Sequence, residues 1–366
     1  MWRAKLRNIL FLLLLGAMTV QLALAQASYK YSNLKIPHAK LTNAYGVNDF
    51  DEFTGDYTDV NGIVHGYLRV GSTVNTIDDP NGNGLATTCY SINDHGAIVG
   101  AYSFGDFSNG FLYQNGVFTD IMPTWAIGAT DYGINDNGWI VGTYLDGTSQ
   151  HGFVYDGTNY TTLDVPGAQS TLAIGINNSG LITLQSVDSS GQLSSWLLSN
   201  GTYTQLNVPG AFSTAVHFIN PRGEIALGWH DSGGGQHGAI FANGVYYLND
   251  DPDGTSTSIY TINDNNEIVG RYLPAGKTVT EGFKGLNTPS LLNFNPPSGP
   301  VGTSVTITGS GFTQATWVTF SNKTAAFTVN SDSQITATVP GTAKTGKIKV
   351  TTPAGVATSK TNFVVN

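Results

Sequence analysis

Short runs of alternating apolar and polar residues fill most of this chain, and they return with a fixed period. The clearest unit is Ile134-Asn135-Asp136-Asn137-Gly138-Trp139-Ile140-Val141-Gly142-Thr143-Tyr144. Its asparagine recurs as Asn48, Asn93, Asn135, Asn177, Asn220 and Asn263, at spacings of 45, 42, 42, 43 and 43 residues. A forty-odd-residue period with strand-like content predicts the blades of a β-propeller, six of them here. In the third unit four strands are expected at 130–135, 139–145, 152–155 and 160–165, with turn residues between them.

The first turn of each unit carries the sharpest local signal. Three residues after the asparagine stand Asp51, Gly96, Gly138, Gly180, Gly223 and Asn266, all types that tolerate a left-handed backbone. A type I turn closed by a left-handed residue is predicted. Before the asparagine come Val47, Ile92, Ile134, Ile176, Ile219 and Ile262; five residues after it come Phe53, Ile98, Ile140, Ile182, Ile225 and Ile268. Aromatics follow at Tyr57, Tyr102, Tyr144, Trp229 and Tyr272, then at Tyr67, Phe111, Phe153, Trp196 and Phe283. Large side chains at matched positions are expected to pack between neighbouring sheets.

The sixth unit stops near Phe283 and lacks a fourth strand. Residues 31–37, Tyr-Ser-Asn-Leu-Lys-Ile-Pro, match the fourth-strand segments 160–166 and 203–209. The N-terminal stretch is therefore expected to supply that outer strand and close the ring, which removes an unpaired sheet edge. The pattern Ile-Asn-Asp-x-Gly-x-Ile-Val-Gly-x-Tyr followed by His-Gly-Phe-x-Tyr resembles the HAF family of bacterial extracellular repeats over about residues 41–287. The resemblance implies an exported repeat protein without an assigned activity. Unit four departs most, with Leu184 for the second-strand glycine and Ser194-Ser195-Trp196 for His-Gly-Phe.

Residues 1–25 read as a secretory signal peptide: Arg3, Lys5 and Arg7 precede an apolar stretch, and Ala23-Leu24-Ala25 suits cleavage before Gln26. The propeller is assigned to 26–287. No later segment is long and apolar enough to span a bilayer, so no membrane span is expected once the signal is removed. From 288 to 366 the pattern changes to short alternating strands, expected at 317–320, 334–339, 347–352 and 363–365, which suit a small β-sandwich. Pro296-Pro297-Ser298-Gly299-Pro300-Val301-Gly302-Thr303 and the strand after it resemble the IPT/TIG immunoglobulin-like family. That resemblance implies a structural or binding module.

Charge is sparse, at 11% of residues, and unevenly spread. Residues 41–287 carry a net −19, against +6 in 1–40 and +4 in 288–366. An acidic propeller argues against nucleic acid as partner, which needs a basic face. Cys89 is alone, so no internal disulfide is expected; its aligned neighbours Ala44, Asp131, Ala173, Val216 and Ile259 point to a buried thiol.

Three sets of residues carry candidate chemistry. His65, His151 and His237 recur every 86 residues, as metal ligands around a channel would, or as a repeated structural hydrogen bond. Asp79, Asn81 and Asn83, in Asp-Pro-Asn-Gly-Asn-Gly, have the oxygen spacing of a calcium loop, but Tyr90 stands where its last acidic ligand is expected, which favours a plain turn; calcium is the one cofactor considered. Trp229, His230 and Asp231 combine a stacking ring with polar groups beside a Gly-rich loop and are the ligand-binding candidates. They are the cluster best placed among the variable segments 78–84, 103–109, 146–150, 231–236 and 250–254, where repeats are free of structural duty. No nucleophile elbow, zinc motif or phosphate loop occurs. The expectation is a secreted or cell-surface protein that binds an extracellular glycan or protein, or serves structurally, without catalysis. The alternative is a propeller hydrolase or lyase acting on extracellular polysaccharide.

Overall fold

The computed structural model describes residues 24–26 and 28–366. The signal-peptide reading falls on 1–25, so nearly all of it lies outside the described residues. Those residues are all-β, with Pro80–Gly82 forming a single 3-10 turn. In the third unit Gly128–Ile134, Ile140–Leu145, Gln150–Tyr155 and Tyr160–Leu163 form one antiparallel sheet in chain order, and the other complete units repeat it. In the sixth, Gly254–Ile262, Glu267–Pro274 and Glu281–Asn287 pair with Tyr29–Asn33, Tyr31 opposite Gly285. Tyr31 takes the place that Tyr160 takes opposite Tyr155. The strand ends at Asn33 rather than Pro37, because the chain turns inward: Leu34 N still donates to Gly282 O, but Ile36 N donates to Thr42 Oγ1.

Each asparagine turn is built the same way. The Asn135 side-chain oxygen accepts from Trp139 N, and Gly138 N closes the turn on Asn135 O. Gly138 has φ +78°, and all six equivalent positions are positive, from +58° at Asn266 to +85° at Gly223. The predicted left-handed closure is present in every unit. The freed Nδ2 donates to the main-chain oxygen of the next asparagine: Asn48 to Asn93 (3.2 Å), Asn93 to Asn135 (3.0 Å), Asn135 to Asn177 (3.0 Å), Asn177 to Asn220 (3.2 Å) and Asn220 to Asn263 (3.3 Å). Asn263 then donates back to Asn48 (2.8 Å). Buried amide donors are thereby satisfied between sheets, in a propeller-like arrangement.

Packing explains the repeat's other fixed residues. Gly142 pairs directly with Phe153 in the register, and a Cβ there would stand 2.9 Å from the ring. Leu227, which replaces this glycine in unit five, faces the small Ala239; in unit four Leu184 faces Trp196, whose indole instead reaches Ser186 Oγ (2.8 Å), where other units have an aromatic. The glycine of His-Gly lies against the next sheet: a Cβ on Gly66 would meet Cys89 Sγ at 2.8 Å. Ser195, in the same slot, instead bridges the sheets, donating to Thr214 O and accepting from Val216 N. The aromatics expected to pack do so; Phe111, Phe153 and Phe283 are fully buried, and Cys89 is buried with its thiol pKa pushed up by desolvation.

The C-terminal segment forms two facing sheets. Ser290–Asn295, Ser304–Ser310, Gln334–Thr338 and Phe327–Ser331 make one; Lys323–Thr324, Trp317–Phe320, Ile348–Thr352 and Gly355–Thr358 make the other. Val305, Ile307, Phe312, Phe320, Ile335 and Val350 lie in the core between them. The short link is tied down: Thr288 donates from N and Oγ1 to Ser28 O, and Asn266 Nδ2 reaches Thr313 Oγ1 at 3.3 Å.

Candidate functional site

Antiparallel order puts the hairpin between strands two and three at the same end of each sheet as the link to the next unit. Hydrogen bonds join the two, as in Ile127 N to Leu145 O and Phe212 N to His230 O. The variable segments therefore gather at one end, and the asparagine turns at the other. Exposed apolar side chains at the variable end include Leu85, Phe104, Phe107, Trp125, Ile127 and Phe212.

Trp229, His230 and Asp231 lie at this end, at the close of Ile225–His230. The Trp229 indole is half-buried and stacks on His237 at 4.4 Å, and its Nε1 is buried without a partner. His230 Nδ1 faces Ser213 Oγ at 3.2 Å. Asp231 Oδ1 accepts from Gly233 N and Gly235 N, which holds its carboxyl below the usual range. His237 sits between Asp250 (2.7 Å) and Asp231 (3.3 Å). Burial lowers its pKa, but the hydrogen bonds to Asp250 and Asp231 outweigh that and raise it. His65 and His151 repeat this arrangement, with Asp78 and Asp59, and with Asp164 and Asp146. Each imidazole is thus held by carboxylates of its own unit and stacked on its own aromatic, Tyr57 or Tyr144 in those two. Among the described residues no group of three His, Cys, Asp or Glu is placed to hold a metal.

Asp79, Asn81 and Asn83 form the 3-10 turn. Asp79 Oδ1 accepts from Asn81 N at 2.8 Å, and Asn83 is left-handed. Asp79 is buried, since it occupies the place of Ile36, Pro123, Val165 and Val208, and burial raises its pKa. Its N–H is capped by Thr87 Oγ1, as Val165 and Val208 are capped by Thr171 and Thr214.

The residues at the first-strand bulges were not singled out from sequence. The first strand of every unit contains a β-bulge three residues before its asparagine, as between Asp131 and Gly133. A bulge re-aims the extra side chain. The residues there are Tyr45, Tyr90, Tyr132, Ile174, His217 and Tyr260, and neighbouring rings meet in sequence around the axis. Tyr45 touches Tyr90 (5.4 Å) and Tyr260 (5.0 Å), Tyr90 touches Tyr132 (5.0 Å), and His217 touches Tyr260 (4.7 Å). Eight residues after the asparagine stand Asp56, Ala101, Thr143, Gln185, Gly228 and Arg271. That column keeps no common residue type, and the variation was the available signal.

Its charged members face each other across the junction of units six and one. Asp56 is 7% exposed and accepts from Asn43 Nδ2 (2.7 Å) and Thr88 Oγ1 (3.2 Å); burial raises its pKa. Arg271 lies over the Tyr260 ring at 5.8 Å. Burial, then Arg271, push the His217 pKa down to about 3, so its imidazole is neutral. At the opposite end the asparagine ring encloses a cavity of about 70 Å³. The carboxylates there serve as caps, Asp94 Oδ1 accepting from Asp49 N and Asp49 Oδ1 from Asp264 N.

The IPT/TIG domain model matches residues 289–365. No curated protein matches the chain. Among solved structures, TolB from Acinetobacter baumannii is similar at 15% identity and a TM-score of 0.51, over 65% of this chain; the chain spans 64% of TolB's length. Aleuria aurantia lectin, in complex with alpha-methyl-L-fucoside, gives 13% identity and a TM-score of 0.41, covering 84% of this chain and 97% of the lectin. A gluconolactonase from Xanthomonas campestris gives 11% and 0.43, covering 71% and 96%. At 15% identity the likeness to TolB concerns the fold alone.

Proposed function

We propose that this is an exported binding protein in which residues 26–287 form a six-bladed propeller, closed by the N-terminal strand, that holds a glycan at the variable end of its channel. The HAF-like repeat and the signal-like leader support export. The sandwich at 288–366 acts as a structural or docking module. Trp229, His230 and Asp231 contribute to the rim, through Asp231 and the polar edge of His230 rather than through the indole face, which His237 already covers.

One observation carries the reading: the residues that break the repeat converge on the channel, where four tyrosines stand beside Asp56, His217 and Arg271. Sugar recognition needs aromatic faces for stacking and a few fixed polar groups for hydroxyls. The remaining matched columns pack sheets or close turns. The Asp79, Asn81 and Asn83 turn is closed by internal hydrogen bonds, while the buried Asp79 Oδ2 has no partner among the described residues; a calcium titration that raises the melting temperature would make this turn a calcium site.

The test is a glycan-array and polysaccharide-turnover screen of the full chain, with Tyr90→Ala beside the parent. Binding that weakens in Tyr90→Ala, without turnover, is expected. Turnover would replace the reading with the hydrolase or lyase alternative. Binding to protein ligands alone, unaffected by Tyr90→Ala, would move the site to the loop rim.

A further inference from the structure

We propose that the channel takes the carboxylate-bearing unit of an acidic sugar, with Arg271 as the residue that recognises the carboxylate. The inference rests on the glycan reading above and adds the ligand's charge. Arg271 occurs once in its column, where the other units have Asp56, Ala101, Thr143, Gln185 and Gly228. It is partly exposed, and its guanidinium forms no ion pair among the described residues. Asp56 feels the Arg271 charge but makes no direct contact with the guanidinium among the described residues; its oxygens accept from Asn43 and from Thr88. A guanidinium left with open donors among aromatic rings offers the planar fork that matches a carboxylate.

A second observation points the same way. Asn43 is 5% exposed, and its Oδ1 is buried without a partner, although its Nδ2 is held by Asp56. Buried acceptors in native proteins are satisfied, so this oxygen awaits a donor. A sugar hydroxyl supplies one. Asn43 lies two residues before Tyr45, and Asp56 joins it to the wall that Arg271 faces. Ser258, opposite Arg271 in the register and 3.5 Å from His217 Nε2, adds a second hydroxyl contact. Gly228 leaves that wall without a side chain beside His217 and Ser258. The neutral His217 donates or accepts there without repelling or attracting the anion. Around this fork the propeller's −19 charge repels anions, so the preference is local and short-ranged.

Isothermal titration of the full chain with D-glucuronate and D-galacturonate, their short oligomers, and neutral D-glucose and D-galactose tests this. The acidic sugars are expected to bind at least about tenfold more tightly than the neutral ones. Arg271→Met should weaken acidic-sugar binding about 10- to 100-fold and neutral-sugar binding far less, so that the preference for the acidic sugars collapses. Arg271→Lys, which keeps the charge but not the fork, should fall between. If Arg271→Met fails to fold, Arg271→Lys and the salt dependence of the parent decide. Tighter binding of oligomer than monomer identifies a polysaccharide as the source; equal binding identifies a free sugar acid. Equal binding of acidic and neutral sugars, or acidic binding indifferent to Arg271, overturns the inference and leaves the glycan reading standing. Binding of no sugar at all overturns both.

Discussion

Replacing Asp131 by alanine should make the protein more stable. Asp131 is 0% exposed, and neither carboxyl oxygen has a hydrogen-bond partner among the described residues. It stands against the Gly110 backbone, where a Cβ would come within 2.4 Å of its oxygen. The equivalent residues Ala44, Cys89, Ala173, Val216 and Ile259 are equally buried and carry no charge there. A buried polar group without a partner costs about 1–3 kcal/mol. The cavity left by removing the carboxyl returns part of that, at about 24 cal/mol per Å³ over roughly 30 Å³, or about 0.7 kcal/mol. The net gain is about 0.3–2.3 kcal/mol, which raises the melting temperature by roughly 1–9 °C for a domain of this size. Burial, then Asp120, raise the Asp131 pKa well above 3.8. A carboxyl with a raised folded pKa contributes fully below the unfolded value and loses that contribution as pH rises through the folded one. The advantage of Asp131→Ala should therefore be smallest near pH 4 and grow toward neutrality. Urea unfolding at pH 4, 6 and 8 measures it. A variant less stable than the parent at every pH, or a gap that ignores pH, would refute the reasoning and give Asp131 a partner that the geometry lacks.

Deleting residues 29–36 should expose the Glu281–Asn287 edge and cause a large fall in melting temperature with aggregation; light scattering during a thermal ramp reads both. Gly138→Val should cost about 1–2 kcal/mol from the φ of +78° alone, since the surroundings are open, whereas Gly138→Asn should cost less, as Asn266 holds the same turn at +58°. Asn135→Ala removes the donor to Asn177 O and the acceptor for Trp139 N, and should cost about 1–3 kcal/mol by chemical denaturation. Burial and Asp94 push the Asp49 pKa to about 6, so stability should decline between about pH 4 and 6 as that carboxyl ionises; Asp49→Asn should flatten the decline while keeping the cap, as Asn178 does for Asp136.

What the sequence discloses is whatever the repeat must preserve. A positive φ admits few residue types, so the column from Asp51 to Asn266 announces its own backbone. The match between Tyr31 and Tyr160 carries the register of a strand pairing about 250 residues apart, because Leu34 and Leu163, three residues later, must reach the same place beside Gly282 and Gly152. The channel wall was hidden for a geometric reason. Strand alternation assigns neighbouring residues to opposite faces, but a bulge inserts one residue and turns it toward the axis. Tyr132 reads as an ordinary strand aromatic until the register shift between Asp131 and Gly133 is seen. Asp79 is legible only in part. Its acidic, glycine-rich surroundings suggest a cation loop, and its column is filled by buried Ile36, Pro123, Val165 and Val208 in four other units and by Asp251 in the remaining one. Within a repeat, the informative question is therefore which face a column occupies, and only then which residues break it. By that order the columns holding Asp56, His217 and Arg271 outrank the glycine-rich loops as the place where this chain departs from its own scaffold.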